Sequence, residues 1–169
     1  MTPDLVGLVR VLSGGGVRYI IIGGVAAGMH GALRTTLDLD VVYARDPDNV
    51  ARLVAALAPY DPYLRGAPAG LPFELDEQTI GRGLNFTLVT TLGDLDLLGE
   101  VTGGGGFEQL RTSAEPVEID GFECWVVTLP KLIALKRAAG RGKDREALAE
   151  LEALLEERDR PDVQDDLLR

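Results

Sequence analysis

The stretch IIIGGVAAGMHGALRTTLDLDVVY, residues 20–43, carries the pattern on which the fold reading rests. Its first residues complete a short β-branched run, VRYIII at 17–22, which reads as a buried strand. Gly23 and Gly24 interrupt that run, residues 25–30 read as a short helix closed by Gly31, and LDLDVVY at 37–43 returns to strand character. On a strand, residues two apart share a face, so Asp38 and Asp40 project together while Leu39 and Val41 point the other way. Two adjacent carboxylates repel at neutral pH unless a cation lies between them. Oxygen ligands of this kind suit Mg²⁺, which binds through a few carboxylates and phosphate oxygens. Gly23 and Gly24 have no Cβ, so the backbone can approach a phosphate where a helix begins.

Working outward, residues 3–12 have apolar positions at helical spacing, with Ser13 and three glycines stopping the helix. Asp46-Pro47 reads as an N-cap with proline at the first helical position, and Val50, Leu53, Val54 and Leu57 form that helix's buried face. Residues 59–72 hold four prolines and read as a surface loop. Strands are expected at 84–91 and 95–98, then a flexible glycine loop at 103–106. Strands at 117–119 and 122–127 flank the hairpin signal Asp120-Gly121. Helices at 129–139 and 144–157 follow, and the polar tail after Arg160 is expected to fray. This order predicts an α/β (α+β) fold: a mixed β-sheet flanked by helices, with a C-terminal helical pair. The chain reads as a single domain over 1–169, with its core at about 1–128 and the helical pair at about 129–158.

Composition narrows the function classes. The 169 residues carry 17 basic and 27 acidic side chains, for a formal charge of −10. Such a field disfavours general attachment to nucleic acid or anionic lipid, so a polyanionic partner must be held locally. One cysteine excludes an internal disulfide framework and fits a reducing compartment. No apolar run reaches the length of a membrane span, and the first residues lack a signal-peptide layout, so a cytoplasmic location is expected. The glycines do not make a dinucleotide-binding turn, because GxGxxG should follow a strand and precede a helix.

A third carboxylate is available in TTLGDLDLLGEV, residues 90–101. Asp96, between Leu95 and Leu97, would lie on an otherwise buried strand, where a bare carboxylate is expensive. Asp94 follows Gly93 and equally suits a turn, so Asp96 is the preferred third acid. Residues 131–145 hold six basic side chains and one acid, the single concentrated positive stretch of the chain. Lys136 falls on the apolar side of its helix and is the first candidate for a phosphate contact, followed by Arg141 and Lys143. Arg34 and Thr36, just before the carboxylates, are further candidates for touching phosphate. His30 reads as a helix-end or packed residue, and Cys124 and Trp125 as core.

Gly-Gly after an apolar strand, a spacer, DLDVV, and a later apolar-Asp-apolar strand together resemble the DNA polymerase β-like nucleotidyltransferase superfamily. The fuller string GGVAAGMHGALRTTLDLD is most similar to small bacterial members, including the AbiEii-like nucleotidyltransferases of toxin–antitoxin modules. The resemblance covers residues 17–43, 90–98 and 129–150. It implies two Mg²⁺ ions held by Asp38, Asp40 and Asp96, with Gly23 and Gly24 on the triphosphate of an NTP. Asp96 would help activate the attacking hydroxyl, and a nucleoside monophosphate would pass to an acceptor such as an RNA or tRNA end or a partner protein. Antibiotic adenylyltransferases share the Gly-Gly and DxD, which makes a small-molecule acceptor the alternative. A catalytically degenerate partner of a toxin or antitoxin is the third reading.

Overall fold

The computed structural model describes residues 2–140, 142 and 145–160; Arg141, Lys143 and the tail at 161–169 lie outside the described residues. Helix α1 (Leu5–Gly14) is capped by Asp4, whose Oδ1 accepts from the Gly7 amide at 2.8 Å. Strand β1 (Tyr19–Ile22) leads straight into α2 (Gly23–Met29), then β2 (Asp38–Tyr43) and α3 (Pro47–Leu57). Asp46 caps α3 through the Asn49 amide, and Pro47 fills the first turn as expected. Beyond the loop come β3 (Tyr63–Leu64), α4 (Glu77–Arg82), β4 (Asn85–Thr90) and β5 (Gly93–Leu98). The chain continues through α5 (Phe107–Arg111), β6 (Ala114–Ile119), β7 (Phe122–Val127), α6 (Leu129–Ala139) and α7 (Arg145–Asp159).

The strands form one mixed sheet in the order β3-β4-β5-β2-β1-β7-β6. β2 runs antiparallel to β1 and parallel to β5, and β7 joins the other side of β1 in parallel. Alternation explains why the acidic strand sits near the middle. Leu39, Val41, Leu95 and Leu97 are fully buried, and they pair across β2 and β5 as Leu39–Leu95 and Val41–Leu97. The same register turns Asp38, Asp40, Asp94 and Asp96 to the opposite face. Truncating any of these core leucines to alanine would cost about 2–5 kcal/mol. Burial therefore pins the carboxylates in place.

Several local expectations shift. α2 begins at Gly23, so the glycine pair is the helix's first turn rather than a break before it. β3, α4 and α5 were not expected; they are only 2, 6 and 5 residues long, too short to show a periodicity. The strand expected at 117–119 starts at Ala114 and includes Pro116, which an edge strand tolerates because one side of it needs no N–H donor. The glycine loop at 103–106 is packed against α6: a Cβ on Gly103 would lie 2.7 Å from Ala138 Cβ, and one on Gly104 2.9 Å from Leu135 Cδ2. Asp120 and Gly121 both have positive φ, as the tight hairpin between β6 and β7 requires.

His30 caps the end of α2 and is buried, with Nε2 2.8 Å from Val127 O. Arg158 of α7 donates to His30 O and lies 3.2 Å from His30 Nδ1, which ties the last helix to the second. Cys124 is buried and Trp125 half-buried. Among the described residues, no helix is long and apolar enough to cross a membrane.

Candidate active site

The parallel register of β2 and β5 sets Asp38 beside Asp94 and Asp40 beside Asp96. One carboxylate oxygen from each of Asp38, Asp40 and Asp96 lies within 4.8 Å of the others, and all three residues are half-buried. Asp40 stands between two acids. Burial, the charge of Asp38, and the hydrogen bond and charge of Asp96 push its carboxyl up to about 7 from the ordinary 3.8. Arg65 works against that rise. The group offers oxygen donors only, the set preferred by hard divalent cations such as Mg²⁺, and its crowded negative charge is the kind a cation relieves. The residues therefore fit a metal.

Gly23 and Gly24 are needed for close approach. Gly23 has φ +65°, and a Cβ there would fall 2.1 Å from Asp40 Oδ2. A Cβ on Gly24 would lie 2.6 Å from Thr36 Oγ1. Thr36 in turn donates from Oγ1 toward the backbone oxygen and Oδ1 of Asp38, each at 3.1 Å. Thr36 thus orients the first carboxylate.

Arg34 is exposed and turned toward α7, with Nη2 3.0 Å from Glu146 Oε2 and Nε 3.6 Å from Glu150 Oε2. Glu150 also accepts from the Leu33 amide at 2.8 Å. Lys136 reaches the same region from α6. It shares with Gly24, Arg34, Thr36, Glu150 and Leu151 the lining of a cavity of about 220 Å³. The structure thus brings Asp38, Asp40 and Asp96 together, sets Gly23, Gly24 and Thr36 against them, and places Arg34 and Lys136 in the adjoining cavity. Arg141 and Lys143 lie outside the described residues.

One residue of the site escaped the sequence reading. Arg65 follows β3 in the proline-containing loop, where nothing local marks it. Its side chain crosses β4 to β5, placing Nη2 2.8 Å from Asp96 Oδ1 and Nε 3.1 Å from Asp94 Oδ2. Only the strand order β3-β4-β5 makes that contact possible.

No protein-family model matches the chain, and no curated protein matches its sequence. Solved structures do match. A protein of Thermotoga maritima described as a candidate nucleotidyltransferase superposes with a TM-score of 0.56 at 12% identity, over 86% of this chain and 91% of that one. An antigenic nucleotidyltransferase-like protein from Paracoccidioides brasiliensis superposes with a TM-score of 0.54 at 15% identity, over 88% of this chain and 72% of that one. The chain shares their fold. Within this nucleotidyltransferase-like fold the carboxylates occupy adjacent parallel strands, and the Gly23-Gly24 turn lies beside them.

Proposed function

We propose that the protein is a Mg²⁺-dependent nucleotidyltransferase that moves a nucleoside monophosphate from an NTP to a hydroxyl acceptor. The observation that carries this reading is the convergence of Asp38, Asp40 and Asp96 on adjacent strands, with Gly23 letting the first turn of α2 come directly against Asp40. Asp38, Asp40 and Asp96 would hold two Mg²⁺ ions, which when bound stabilise negative charge on the attacking and leaving oxygens. Gly23 and Gly24 bring the first turn of α2 against Asp40 and Thr36, so that its backbone amides approach the phosphates. Lys136 and Arg34 supply positive charge from the adjoining cavity for the phosphates. Arg34 must leave Glu146 and Glu150 to do so.

In the transfer, the acceptor oxygen bonds to the α-phosphorus of the NTP and the bond to the bridging oxygen breaks, releasing pyrophosphate. Asp96, one of whose oxygens is held by Arg65, receives the acceptor's hydroxyl proton on the other. The acceptor is an RNA or tRNA end, or a partner protein as in toxin–antitoxin modules. Incubation with Mg²⁺ and each labelled NTP, alone or with total tRNA, cell protein or hydroxylated antibiotics, tests the reading and separates these acceptors. Label on an acceptor that disappears in Asp40→Asn supports it; no transfer to any acceptor sinks it.

A further inference from the structure

We infer that Arg65 is a positioning residue for the third carboxylate, turning Asp96 toward Asp40 while holding Asp94 away from the metal group. This inference rests on the nucleotidyl-transfer reading and assigns a role that no feature of the local sequence marks.

The register places four carboxylates on one face of two parallel strands: Asp38 and Asp40 on β2, Asp94 and Asp96 on β5. Three of them gather within 4.8 Å; Asp94 is not in that group. The difference between Asp94 and Asp96 therefore needs a cause beyond strand pairing, which treats the two alike. Arg65 supplies it. The guanidinium meets Asp96 Oδ1 through Nη2 at 2.8 Å and Asp94 Oδ2 through Nε at 3.1 Å, so one planar group spans both acids. The Nη2 hydrogen bond fixes the direction of Asp96, while the Nε contact with Asp94 is an ion pair without hydrogen-bond geometry, so the same group orients one acid and attracts the other by charge.

Arg65 is itself restrained. Nη2 also donates to Leu88 O at 3.0 Å, and the Arg65 amide donates to Thr87 O at 2.9 Å. Both acceptors belong to β4, the strand lying between β3 and β5. The guanidinium is less than one-third exposed, so its ion pairs are partly shielded from solvent. It engages one oxygen of Asp96, and the other remains for the metal group or the acceptor.

Two effects of Arg65 have opposite signs, and that makes the role testable. Its positive charge opposes a nearby divalent ion, so removing the charge strengthens metal binding. Its shape aligns Asp96, so removing the shape weakens transfer. Lysine keeps the charge but is a point donor that cannot bridge two carboxylates.

The experiment follows Mn²⁺ binding by the electron paramagnetic resonance of the free ion, together with nucleotide transfer, in wild type, R65M, R65K and D40N. In R65M, Mn²⁺ should bind roughly tenfold tighter while transfer falls. In R65K, Mn²⁺ affinity should stay within about twofold of wild type, yet transfer should fall about as far as in R65M, at least roughly tenfold. An R65K variant with wild-type transfer would overturn the inference, because charge alone would then suffice. So would wild-type Mn²⁺ affinity in R65M, or loss of Mn²⁺ affinity and transfer together in both variants, which marks a structural role only. The wider reading fails separately: wild-type protein that binds no Mn²⁺, binds it no better than D40N, or transfers nothing overturns both.

Discussion

Gly23 and Asp40 are in such close contact that a single added carbon on the glycine would fall 2.1 Å from Asp40 Oδ2. The pair joins the end of β1 to the acidic strand, with Ile22 directly opposite Asp40 in the antiparallel register. Gly23 also holds φ at +65°, where a side chain is strained whatever space surrounds it. Gly23→Ala should therefore destabilise the protein by about 1–3 kcal/mol. It should also displace Asp40, reducing Mn²⁺ affinity and transfer even where the protein stays folded. Thermal melting, Mn²⁺ titration and the transfer assay check the three outcomes together.

The raised carboxyl of Asp40 makes metal-free stability depend on pH. Its folded pKa of about 7 exceeds the ordinary 3.8, so between these values the folded protein binds more protons than the unfolded chain. Asp40 therefore lowers stability progressively as pH rises from about 4 to about 7, with the loss complete above that range. Urea unfolding in chelator should give a lower midpoint for wild type at pH 8 than at pH 5, with Asp40→Asn less affected. Mg²⁺ at pH 8 should restore stability in wild type alone, since the ion binds the deprotonated group.

Arg34 makes an exposed pair with Glu146 and a longer one with the half-buried Glu150, and pairs at such a solvent boundary contribute little to folding. Arg34→Ala should change the unfolding free energy by less than about 1 kcal/mol. Because Arg34 lines the cavity and would leave its glutamates for phosphate, the same change should weaken nucleotide binding about tenfold or more. Glu146→Gln, which releases one partner, should tighten it. A fluorescent NTP titration distinguishes the directions.

Asn49 is a fully buried polar residue with three side-chain hydrogen bonds to backbone groups. Its Oδ1 accepts from the Arg18 amide at 2.7 Å, and its Nδ2 donates to Ala44 O at 2.7 Å and Arg18 O at 3.1 Å. It thereby satisfies backbone groups at the start of β1 and the end of β2 from the first turn of α3. Asn49→Ala should cost about 2–4 kcal/mol, because several buried groups lose their partner at once. Urea denaturation gives the value, with Mn²⁺ affinity of the folded fraction unchanged.

How much of this was legible before folding depends on whether the cause is local. The alternation in DLDVV sets Asp38 and Asp40 on one face and Leu39 and Val41 on the other, and the strand follows that division. Asp46-Pro47 forms the cap it spells, and Asp120-Gly121 the turn, because both act within a few residues. The glycine run at 103–106 shows where such reading stops. Its composition spells freedom, while the fold uses its missing side chains to bring the backbone against Ala138 and Leu135.

The sequence by itself determined the strands other than β3 and the faces of the acidic residues, since each depends on neighbours within a few bonds. Only the tertiary structure decided between Asp94 and Asp96. Both share one strand face and each is paired with an aspartate of β2, but only Asp96, which takes the hydrogen bond from Arg65 Nη2, joins the group formed by Asp38 and Asp40. Arg65 itself became visible only once β3 lay beside β4, and the pairing of Arg34 with Glu146 and Glu150 only once α7 lay beside it. Charge pairs between distant segments leave no periodicity in a chain, because the geometry that brings them together is set by the burial of other residues.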